Sequence, residues 1–118
     1  LAHLDGGTPT QAAHAMAIAL KNVLGLVCDP VAGAVEVPCI KRNAMGVANA
    51  FVAADMARAG IESAIPADEV IMALCNVQKL LPVELRASSR GGLGITPTAK
   101  RLLAEKMERM ARETAGQK

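Results

Sequence analysis

Four stretches of the chain carry small and aliphatic residues at helical spacing, and this constrains the fold more than any other feature of the sequence. In the first stretch Ala12, Ala15, Met16, Ala19, Leu20, Val23 and Leu24 share one face of a helix expected over residues 9–25. Gly6 and Gly7 form the turn before it. Thr8 offers a capping hydroxyl, and Pro9 takes the first helical position, where its missing N–H costs nothing. With one Phe and no Trp or Tyr, the core must be built from Ala, Val, Ile, Leu and Met. Alanine has the highest helix propensity and lets helices approach closely, so the expected class is all-α, with about four helices around one continuous core. A length of 118 residues suits a single domain.

The second helix is expected over residues 40–59. Ala44, Met45, Val47, Ala48, Ala50, Phe51, Ala54, Met56 and Ala57 make it apolar on most sides, and Gly60 ends it. A third helix opens at Pro66-Ala67-Asp68-Glu69, with acidic residues where the helix dipole prefers them. It holds Val70, Ile71, Leu74, Val77, Leu80 and Leu81, and Pro82 marks its end or a kink. Cys75 lies within it, among Met72, Ala73, Leu74 and Val77, and reads as a core residue. Residues 86–94 are rich in Gly and Ser and read as a loop. The last helix starts near Pro97 with Thr96 as its cap; its charged residues alternate with Leu102, Leu103, Met107 and Met110, the pattern of a solvated amphipathic helix. Residues 115–118 read as a fraying tail.

The balance of 13 basic and 11 acidic residues, a formal charge of +2, points to neither nucleic acid nor an anionic membrane as partner. A single aromatic, Phe51, makes no platform for base stacking either. No apolar run reaches the roughly 18 residues of a membrane span, and the opening residues lack a signal-peptide profile. The sequence therefore points to the cytoplasm. Three unevenly spaced cysteines suit free or metal-bound thiols in a reducing compartment better than a disulfide framework.

Between the first two helices lies the stretch with the most chemistry. Cys28-Asp29-Pro30 and Pro38-Cys39 bracket an apolar segment containing Gly33, which reads as a largely buried Pro/Gly-containing loop. A buried loop must find partners for its backbone N–H and C=O groups. Two cysteines eleven positions apart match neither the zinc nor the ferredoxin spacing, so spacing alone leaves two buried small residues as the simpler reading.

The surrounding residues change that balance. Asn22-Val23-Leu24-Gly25-Leu26-Val27-Cys28-Asp29-Pro30-Val31-Ala32-Gly33, continued by Val35-Glu36-Val37-Pro38-Cys39-Ile40-Lys41-Arg42-Asn43-Ala44, resembles the cluster-binding stretch of iron–sulfur-dependent L-serine dehydratases. Gly6-Gly7-Thr8-Pro9, residues 65–71, Gly91-Gly92-Leu93 and Thr96-Pro97-Thr98 resemble the same family in the same order. The resemblance thins after Lys100 and corresponds to the C-terminal part of the family's α chain or α domain, over residues 1–118. It implies a 4Fe-4S cluster held by three cysteines, two of them matching Cys28 and Cys39, with one iron left without a protein thiolate. The third cysteine is expected upstream, in a glycine-rich segment before the point where this sequence starts. The implied reaction is a lyase's: an electrophilic iron assists departure of the β-hydroxyl of L-serine and a base removes the α-proton. The resulting aminoacrylate tautomerises to an imine and hydrolyses to pyruvate and ammonia, without pyridoxal phosphate. This is a step of serine catabolism that feeds gluconeogenesis.

Within that picture Asp29, beside a ligand, either tunes the cluster or forms a plain turn. Lys41, Arg42 and Asn43 are candidates for substrate binding, because cations at a helix start run against the dipole. His3 and His14 match no motif, which leaves the base outside this chain. The family's loop reads Arg-Glu-Thr where this chain has Arg86-Ala87-Ser88. Implied partners are L-serine, the upstream α segment and a β chain or β domain, in an oligomer. Two alternatives stand beside the dehydratase: a cysteine desulfidase of the same superfamily, and a helical interaction module without chemistry.

Overall fold

Thr8 does what its position suggests: its hydroxyl accepts the N–H of Gln11 at 3.2 Å, and the Gln11 side chain returns the favour to the Thr8 N–H at 2.9 Å. This reciprocal capping box, with Pro9 following, starts α1, Pro9–Lys21. The computed structural model describes residues 1–33 and 36–116. Residues 34–35, inside the expected loop, and 117–118, inside the expected tail, lie outside the described residues. Three more α-helices follow among the described residues: α2, Lys41–Arg58; α3, Ala67–Leu80; and α4, Pro97–Ala115. A π-helical turn, Glu36–Ile40, runs directly into α2, and 3₁₀ turns occupy Val83–Leu85 and Gly92–Ile95. Among the described residues there is no strand; one isolated parallel bridge joins Cys28 and Arg86. The all-α class expected from the sequence is the class observed.

The chain packs as two compact units, Leu1–Leu26 with Arg42–Leu80, and Val27–Lys41 with Leu81–Lys118. In the first unit α1 packs on α3. The buried cluster there is made of alanines, Ala2, Ala15, Ala54 and Ala57, with Ala12 against it. Asn49 of α2 donates to the Ala19 carbonyl of α1 at 2.9 Å and accepts from Asn22 Nδ2, just past the end of α1, at 2.7 Å. His14 has a structural place: its Nδ1 accepts the Ser63 N–H at 3.1 Å. His3 is exposed. Gly60 ends α2 at φ +88°, with bonds from Gly60 N–H to Ala57 and from Ile61 N–H to Met56 that form a Schellman motif. In the second unit Thr96 caps α4 through the Ala99 N–H, and α4 packs on the 3₁₀ turn before it. Ion pairs Arg101–Glu105, Arg109–Glu113 and Arg112–Glu108 lie along its solvated surface.

Several expectations are corrected. α1 stops at Lys21, and residues 22–25 continue as turns. α2 is not buried on most sides: Ala53, Ala54 and Ala57 face inward while Met45, Val47, Phe51 and Val52 are exposed. In α3 Val70 is buried, but Ile71 and Leu80 are exposed. Cys75 is exposed, not a core residue. Five positions beyond Val70, at about 100° per residue, it points about 140° away from the inward face. No helix among the described residues is long and apolar enough to cross a membrane.

Candidate functional site

The residues around Cys28 belong to the second unit and are held there by backbone chemistry. Cys28 donates its N–H to the Leu85 carbonyl at 2.9 Å and accepts the Ala87 N–H on its own carbonyl at 2.6 Å. Both backbone polar groups of the cysteine are thus met by one segment, which answers how this irregular stretch satisfies itself. The Cys28 side chain stays exposed and its thiol is free.

Asp29 is 2% exposed, and its carboxylate accepts the Leu93 N–H at 2.7 Å, 64 residues away in sequence. Gly92 beside it has φ +55°, and a Cβ there would lie 2.8 Å from the Asp29 Cβ, so only glycine fits. The glycines of this loop therefore serve close approach as well as turning. Gly91 lies against Glu84, where an added Cβ would sit 2.9 Å from the carbonyl oxygen. Pro30 and Val31 are buried, and the Lys106 ammonium on α4 donates to the Ala32 carbonyl at 3.2 Å. The expectation of a largely buried loop holds for residues 29–31, whereas Cys28 and Gly33 are exposed.

Cys39 sits on the π-helical turn ahead of α2 rather than in a loop. Pro38 is buried, Cys39 is half-buried, and its thiol is free. Lys41 opens α2 exposed, Arg42 is half-buried and Asn43 is exposed; the first turn of α2 contains no acidic residue. The structure brings Cys28 and Asp29 together with residues 85–93, and Cys39 belongs to the same unit. Sequence reasoning missed Leu85, Ala87, Leu93 and Lys106 as partners of the cysteine loop. The order of the Gly91-Gly92-Leu93 motif was the one signal available.

As donors, Cys28 and Cys39 suit a thiolate-ligated iron–sulfur cluster in kind. Both are free, and the first is carried on a fixed backbone. In number they fall short: among the described residues no three His, Cys, Asp or Glu side chains gather as a metal site. They fit as a partial donor set that a third ligand must complete.

The chain belongs to the serine dehydratase alpha chain family, whose sequence model matches residues 1–94. It is 61% identical over 102 residues to the probable L-serine dehydratase alpha chain of Bacillus subtilis, covering 86% of this chain and 34% of that protein. It is 58% identical over 93 residues to the probable L-serine dehydratase alpha chain of Latilactobacillus sakei, covering 79% and 44%. With L-serine dehydratase 1 of Escherichia coli it shares 45% identity over 96 residues, covering 80% and 21%. The chain thus spans 34% to 44% of the length of the two alpha chains named here. No solved structure matches it.

Proposed function

We propose that this chain is the cluster-bearing C-terminal portion of an L-serine dehydratase α chain, a lyase that converts L-serine to pyruvate and ammonia in the cytoplasm. The observation that carries the reading is the pair of free cysteines, Cys28 and Cys39, in a chain of the serine dehydratase alpha chain family. The two thiolates would hold a 4Fe-4S cluster together with a third cysteine from the upstream part of the α chain. When bound, the cluster supplies an electrophilic iron that makes the β-hydroxyl of serine a better leaving group. Pyridoxal phosphate has no part in this reading.

The chain's own residues have defined tasks. Residues 28–33 present Cys28 from a backbone fixed by bonds to Leu85, Ala87 and Lys106, so little reorganisation accompanies ligation. Arg42, with Lys41 and Asn43, binds the substrate carboxylate, since the α2 start carries basic residues and no acid. The base that takes the α-proton comes from outside this chain, and a β chain or β domain completes an oligomeric enzyme.

The test is pyruvate release by the full-length α chain with its β partner after anaerobic loading with iron and sulfide. Release from L-serine at least about tenfold faster than from L-cysteine is expected, a margin of about 1.4 kcal/mol in the barrier. Preferential release from cysteine would make the protein a desulfidase. No cluster absorbance in the loaded full-length protein would leave a helical interaction module.

A further inference from the structure

We propose that residues 85–93 are a backbone clamp that positions Cys28 for cluster binding, with Asp29 as its latch. The inference rests on the assignment of Cys28 as a ligand and adds the device that aims it. An irregular stretch between two helices has no ladder to hold its backbone, and a metal ligand placed there needs one from elsewhere. Here Leu85 takes the Cys28 N–H and Ala87 gives its N–H to the Cys28 carbonyl, so residue 28 is fixed on both sides while its thiol remains exposed.

The clamp is closed at a second point. The buried Asp29 carboxylate accepts the Leu93 N–H, a charge-assisted bond, and Gly92 lies against the Asp29 side chain with no room for a methyl group. The clamp segment accepts unusual backbone to reach this geometry: Ala87 at φ +60° and Ser89 at φ +56° are left-handed without being glycine. The strained Ala87 is the residue whose N–H meets the cysteine carbonyl. A third tether, Lys106 to the Ala32 carbonyl, comes from α4, beyond the residues that match the family model. Asp29 is therefore a positioning residue that acts on Cys28 through Leu93 and the clamp.

The experiment uses the full-length α chain with its β partner, loaded anaerobically, and follows bleaching of the cluster's visible absorbance on exposure to air, with iron content per chain. Asp29→Ala should bleach about tenfold faster, the usual cost of losing a partner that orients a ligand. Asp29→Asn, which retains an oxygen acceptor, should restore most of the lifetime. Lys106→Met, an α4 change that leaves the clamp's core intact, should speed bleaching by about threefold and provides the test if Asp29→Ala does not fold. Val70→Ala, a cavity in the other unit, should lower thermal stability and leave the bleaching rate unchanged.

Wild-type bleaching in Asp29→Ala and Lys106→Met overturns the clamp. Equal acceleration by Val70→Ala also overturns it, because general loosening would then explain the effect. Cys28→Ser and Cys39→Ser separate the two levels: if neither lowers iron content, the ligand assignment fails and the clamp with it. If both lower it while Asp29→Ala and Lys106→Met behave as wild type, only the clamp is wrong.

Discussion

Gly92→Ala is the substitution whose cost can be worked most fully from the structure. Gly92 has φ +55°, a conformation that costs a residue with a Cβ about 1–2 kcal/mol. The added carbon would lie 2.8 Å from the Asp29 Cβ, far inside van der Waals contact, and Asp29 is buried. The carboxylate must therefore leave the Leu93 N–H, and a hydrogen bond to a charged group contributes about 1.5–3 kcal/mol. Together the two losses come to about 2.5–5 kcal/mol. Urea unfolding of the full-length chain measures the total, and amide hydrogen exchange at Leu93 measures the local part, where each 1.4 kcal/mol is about a tenfold loss of protection. Gly46→Ala is the matched control: Gly46 lies inside α2 with nothing near its missing Cβ, so this change should stabilise by about 0.5–1 kcal/mol. A loss under about 1 kcal/mol for Gly92→Ala, or unchanged Leu93 protection, would refute the close-approach reasoning.

Asn49→Ala removes one bond to Asn22 and one to the Ala19 carbonyl, and should lower stability by about 1–3 kcal/mol in a thermal melt. Cys75→Ser should leave iron content and activity at wild-type levels, because Cys75 is an exposed residue of α3 outside the cysteine motif. Arg42→Ala should raise KM for L-serine by about ten- to a hundredfold with a smaller change in kcat, as expected for loss of a charged bond to the substrate carboxylate; an unchanged KM would remove Arg42 from the site.

Helix boundaries were legible where the chain punctuates them, unlike the end of α1 at Lys21. Thr8-Pro9, Gly60, Asp68-Glu69 and Thr96-Pro97 each act through local backbone chemistry, which a sequence records directly. Burial was less legible. Periodicity marks the faces that carry apolar residues, as in Phe51 and Val52 of α2 or Leu80 of α3, but does not say what covers them, and in this chain they are exposed. Pro38 argued against helix before Cys39, yet a proline without its N–H is tolerated in the short π-helical turn at the entry to α2. The candidate site was half legible: the cysteine loop announced itself through its motif, whereas the clamp joins residues about sixty positions apart through backbone atoms, which leave little mark on side-chain pattern. Asp29 illustrates this, since its adjacency to Cys28 suggested tuning or a turn, and its hydrogen bond makes it a long-range tether.

The central claim is that Cys28 and Cys39 are cluster ligands, and iron and acid-labile sulfide content tests it most directly. The full-length α chain with its β partner should hold about four of each per site when loaded anaerobically. Cys28→Ser and Cys39→Ser should each lose most of the iron and the visible absorbance while retaining helical circular dichroism. Full iron content in both variants would contradict the account.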